Sequence, residues 1–197
     1  MSTPSDFNPH AYGQLAAELL APDRLPELGP GTPNRAVRDR LAALTPESLL
    51  RPHGVGDADM ARACISGLWL YHDFLDESHT LSQSIGSTTG SYWHGIMHRR
   101  EPDFENAKYW FRRVGSHPVF EPLVVRARGM AAAAGGLRYA AWMTSVERWD
   151  PFAFVDTCRD CFDVPGPDHE LCRRISLLEW QLLFDFSYRK ATARSGS

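Results

Sequence analysis

Apolar positions recur along this chain with the 3.6-residue period of a helix, and strand-like alternation bounded by turns does not occur. The pattern is clearest near the end. In "DHELCRRISLLEWQLLFDFSYRKA", Leu171, Ile175, Leu178, Leu182 and Phe186 form one stripe, and Leu177, Trp180, Phe184 and Tyr188 form another. A helix apolar on two sides belongs in the centre of a bundle. Upstream, "PHAYGQLAAELL" has helical spacing, and Thr32-Pro33, Thr45-Pro46 and Asp150-Pro151 each pair a capping side chain with a first-turn proline. Asp103 can cap "FENAKYWFRRVG", and "HPVFEPLVVRARGMAAAA" follows Ser116. The pattern predicts an all-α, compact, single-domain helical bundle over residues 1–197. Residues 21–34, rich in proline and glycine, are expected to be a surface connector, and 193–197 a flexible tail.

From Asp57 to Ile85 no proline interrupts the chain, which predicts one rod of about 40 Å at 1.5 Å per residue. "GSTTG" at 86–90 breaks it, and a second helix runs over about 91–101 to Pro102. The two form a central helical hairpin.

Polar side chains replace apolar ones on the inner faces of this hairpin. On a wheel centred on His72, the first rod carries Ile65, Leu68, Trp69 and Leu75, then Asp76, His79 and Gln83. On the second helix His94, His98 and Glu101 share a face. His79 and His98 lie at similar distances from the turn, so an antiparallel hairpin sets them level. Two imidazoles one turn apart, with carboxylates opposite, suit a divalent transition metal. The candidate metal set is therefore His79, His94, His98, Asp76 and Glu101. The same three histidines are the candidate catalytic groups, as ligands or proton carriers. "HGIMH" lacks the glutamate that follows the first histidine in zinc proteases, so peptidase chemistry is not implied. The alternative is structural, with each histidine hydrogen-bonded to a carboxylate or carbonyl at a half-buried edge.

Between residues 91 and 128, seven Lys/Arg face four Asp/Glu, a positive segment within a chain of net charge −3. Clustered guanidinium groups suit a small anionic molecule. Arg99 and Arg112 are the candidate anion-holding groups, and Tyr92, Trp93, His72 and His117 the candidate walls of the pocket. The other reading of this surface is a non-catalytic module, with exposed aromatics and arginines binding a protein partner. Cys158-x2-Cys161 and His169-x2-Cys172 offer zinc-type ligands, but the first pair lies in the apolar stretch "FAFVDTCRDCF", where cysteine is a normal core filler.

The overall charge supplies no positive field for nucleic acid or a membrane surface. No basic-then-apolar leader opens the sequence and no span of about twenty apolar residues occurs, so a cytoplasmic location is expected. Four cysteines are too few for a disulfide framework at 197 residues.

The block "GLWLYHDFLDESHTLSQSIGSTTGSYWHGIMHRREPDFENAKYWFRRVGSHPVF", with "EWQLLFDFSYRKA", resembles a family of uncharacterised helical proteins of bacteria and fungi. The resemblance implies a helical fold and brings no activity, cofactor or site residue. "EPDFENAKYWFRRV" separately looks like one helix of a tetratricopeptide unit, whereas a solenoid needs about three units.

Overall fold

A computed structural model describes residues 7–21 and 23–193; Pro22 of the connector and residues 194–197 of the tail lie outside them. The described residues form an all-α fold without strands. In chain order the helices are α1 (Gln14–Leu20), α2 (Arg38–Ala42), α3 (Pro46–Leu49), α4 (Ala58–Tyr71), α5 (Leu75–Ser82), α6 (Thr88–Arg100), α7 (Phe104–Val114), α8 (Phe120–Ala133), α9 (Pro151–Asp160) and α10 (Pro167–Thr192). Among the described residues no helix is long and apolar enough to cross a membrane. Several expected caps are formed: Thr45 Oγ1 accepts from Ser48 N in a capping box, Asp103 accepts from Asn106 N, and Asp150 accepts from Phe152 N and Ala153 N ahead of Pro151.

The single rod expected over 57–85 is two helices. Asp73 adopts φ +62°, and the amides of Asp73 and Phe74 bond to the carbonyls of Leu70 (3.1 Å) and Trp69 (3.0 Å). This is the left-handed stop that glycine usually makes, closed by contact between the Trp69 and Phe74 rings at 5.3 Å. An aspartate tolerates that conformation, and here its carboxylate is used. It meets Arg100 Nη2 at 2.6 Å and also pairs with Arg24. No proline or glycine marks the break, which is why the periodicity runs through it.

Helix α6 is more central than a hairpin partner with one polar face. Every residue from Thr89 to Arg100 is buried. Small residues make this possible. A Cβ on Gly67 of α4 would stand 2.7 Å from the Trp93 ring, and one on Gly95 would stand 3.2 Å from Phe111 of α7. Helix α10 crosses behind, with Trp180 Nε1 donating to the Gly67 carbonyl (2.8 Å) and Trp93 Nε1 to Ser187 Oγ (3.3 Å). A second apolar cluster joins α8, α9 and the first half of α10 around Leu123, Phe154, Leu171 and Ile175.

The 21–34 connector is strapped to the interior. Leu28 is buried, Arg100 Nε donates to the Gly29 carbonyl (2.7 Å), and Arg173 Nε donates to that of Pro26 (2.9 Å).

Candidate functional site

The turn between α5 and α6 folds the chain back so that the last turn of α5 lies against the middle of α6. His79 comes from α5, and His94 and His98 from one face of α6. One ligand nitrogen from each of the three lies within 4.8 Å of the others. His94 Nε2 and His98 Nε2 are 3.0 Å apart. The ring of His79 sits 4.6 Å from that of His94 and 5.2 Å from that of His98, centroid to centroid. His94 and His98 are buried and His79 half-buried, so solvent borders the group on the His79 side. The indole of Trp110, from α7, packs edge-on against His94 at 4.2 Å.

The far nitrogens of the two buried rings each face a second group. His94 Nδ1 is 2.8 Å from Ser82 Oγ, whose own hydroxyl donates to the Ser78 carbonyl at 2.8 Å. With its proton given there, Ser82 accepts from His94 Nδ1–H. His98 Nδ1 lies 3.1 Å from Glu101 Oε2 and 3.9 Å from Asp103 Oδ2. The Glu101 contact is out of line for a directed hydrogen bond, since Nδ1 has no hydrogen-bond partner, but the carboxylate's charge favours a proton on that nitrogen. With the ring protons on these outer nitrogens, both Nε2 atoms carry lone pairs and point at each other; with His98 protonated at Nε2 instead, the same contact is a neutral hydrogen bond.

Burial holds these rings neutral. It pushes His94 down to about 3, with His98 and then His79 adding to the effect. Burial also lowers His98, against a partial opposing pull from Glu101. Neutral imidazole is the form that binds a metal.

The other candidate residues are not gathered here. Asp76 is exposed and lines two open hollows of about 520 and 580 Å³ with Glu77. His72 ends α4, with Nε2 2.9 Å from the Leu19 carbonyl and Nδ1 3.2 Å from Asn34 Nδ2. His117 lies ahead of α8, where Nδ1 accepts from Val119 N (3.3 Å) and Nε2 is 3.2 Å from Thr89 Oγ1. Tyr92 donates to Glu179 Oε1 (2.9 Å) deep in the core, and Trp93 is fully buried against α4 and α10. Arg99 is 2 % exposed and pairs with Glu179 Oε2 at 2.5 Å, its guanidinium over the Phe154 ring. Arg112 is exposed on α7. The structure thus replaces the expected pocket of histidines, arginines and aromatics with a compact imidazole triangle and a separate buried ion pair.

Cys158, Cys161 and Cys172 are free and buried, and His169 Nδ1 bonds to the Cys161 carbonyl (3.0 Å). Among the described residues, the group with metal-ligand spacing is His79, His94 and His98.

Sequence reasoning passed over Ser82 and Glu179. Ser82 lies three positions after His79 and four after Ser78, a helical spacing that was open to reading. Glu179 sits within an apolar stripe and becomes legible only when Tyr92 and Arg99 are seen to converge on it.

No protein-family model, no curated protein and no solved structure matches the chain. The arrangement offers a cation three imidazole nitrogen donors.

Proposed function

We propose that this protein binds one divalent transition metal ion through His79, His94 and His98. The observation that carries the reading is the pair of Nε2 atoms 3.0 Å apart, each ring's Nδ1 being turned to an outer partner. Two lone pairs at that distance repel unless a cation lies between them. The competing arrangement is a neutral hydrogen bond from one Nε2–H to the other ring, and against it stand the Glu101 carboxylate beside His98 Nδ1 and the Ser82 oxygen facing His94 Nδ1, which draw the ring protons outward. A metal ion suits the place, since Ser82 and Glu101 stand where outer-shell partners of metal-bound histidines stand. Zinc, nickel, copper or ferrous iron all accept such imidazole sets. When bound, the ion would supply Lewis-acid chemistry at a site bordered by solvent.

Elemental analysis of protein purified without a histidine tag tests this. About one equivalent of metal is expected in the wild type, retained through dialysis, and little in the His94→Ala/His98→Ala variant. A folded wild type that is metal-free and takes up none of these ions on reconstitution would sink the reading, leaving the histidines as hydrogen-bonding groups of the hairpin.

A further inference from the structure

We infer, resting on that metal reading, that the ion keeps a coordination position open to solvent and takes a small exogenous anion there. It would then be a reaction centre and not a closed structural staple.

The first argument concerns the donors. A closed structural site needs a fourth protein ligand, and the carboxylates nearest the triangle are on the wrong side of a ring. Glu101 Oε2 and Asp103 Oδ2 approach His98 at Nδ1, 3.1 and 3.9 Å away, whereas the imidazole edge facing His94 is Nε2. The planar ring stands between the carboxylates and the nitrogen that faces the ion. Asp76 is turned to solvent on α5. Ser82 Oγ is likewise at the outer nitrogen of His94. Ser82 and Glu101 thus each support a histidine from outside.

Charge and access specify the ligand. Three neutral imidazoles leave a divalent ion its full charge, which favours an anion or hydroxide as the remaining ligand. Glu101 and Asp103 are 32 % and 47 % exposed, so solvent weakens their opposing field without removing it. His94 and His98 are 1 % and 5 % exposed, Trp110 covers the His94 ring, and the open side is the half-buried His79. Entry confined to the half-buried His79 side would suit a ligand of a few atoms, such as a small oxyanion or short carboxylate, and not a polymer.

Cobalt(II) reconstitution with azide as the probe separates the outcomes. Wild-type protein carrying one equivalent of cobalt(II) is expected to change its visible d–d bands saturably with azide. The Glu101→Gln variant is expected to bind cobalt about 10–100-fold more weakly, as loss of an outer-shell partner does, and to respond to azide like the wild type. Stoichiometric cobalt whose spectrum ignores azide in the wild type but responds in Glu101→Gln would overturn the inference by making Glu101 the fourth ligand, with the metal reading intact. Cobalt that ignores azide in both proteins would overturn it in favour of another closed site. Failure of the wild type to bind cobalt, zinc, nickel, copper or iron would remove both this inference and the metal reading.

Discussion

Arg99 and Glu179, 80 positions apart, meet inside the protein with 2 % and 0 % of their side chains exposed. Tyr92 donates to the other oxygen of the same carboxylate, and one guanidinium nitrogen, Nη1, has no hydrogen-bond partner. Removing one member of such a pair leaves a buried charge uncompensated, a loss of about 3–5 kcal/mol. Glu179→Gln should therefore lower the urea midpoint sharply. An Arg99→Met/Glu179→Leu double variant should recover much of that loss. A Glu179→Gln protein as stable as the wild type would show the pair to be water-filled and not buried.

Asp73 joins a left-handed helix stop to two arginines, one of them, Arg100, only 4 % exposed. Glycine would relieve the backbone at this position but strand the Arg100 charge. Asp73→Gly should thus destabilise the protein by roughly 2 kcal/mol or more, although glycine is the better residue for the turn. Chemical denaturation measures this directly. A stabilised Asp73→Gly variant would mean that the turn conformation outweighs the ion pairs.

Acid should unfold the metal-free protein from below neutrality. Burial lowers His72 and His117 to about 4 from an ordinary value near 6.5, and His94 to about 3. Between those values the unfolded chain binds more protons than the folded one, so the contribution of these groups is complete above about pH 6.5. It is lost as pH falls toward 4. Denaturation midpoints taken from pH 7.5 down to 4.5 should fall, and His72→Gln should flatten part of the slope. A flat profile in the wild type would show that these rings protonate freely in the folded state.

Ser82→Ala removes the acceptor facing His94 Nδ1 and leaves the Ser66–Ser78 contact at 3.1 Å in place. Metal affinity should drop by about tenfold or more, measured by competition with a chromophoric chelator, while the circular dichroism spectrum stays that of the wild type. Unchanged affinity would mean that the serine does not orient the ring.

The sequence was informative where a periodic signal was long or was backed by a local cap. The central place of α10 was readable from Leu171–Tyr188, as was the start of α9 from Asp150-Pro151. The histidine grouping was readable because helical spacing and a short turn jointly fix it. The break at Asp73 was not, because it is closed by Arg24 and Arg100, groups that sequence spacing does not connect to it. The arginines misled for a related reason. Arg99 is identical in type to an exposed anion-binding group, and only Glu179 shows that its charge is already answered. Tyr92 and Trp93 likewise read as pocket walls until Glu179, Ser187 and Gly67 are placed beside them.

The imidazole triangle is drawn from residues 79–98 alone, whereas Arg99 waits for a partner 80 positions downstream. Loops this short close at little entropic cost and early. On a chain emerging from the ribosome, all three imidazoles are present before α10 has been synthesised, so the donor set is complete before the interior around it can close.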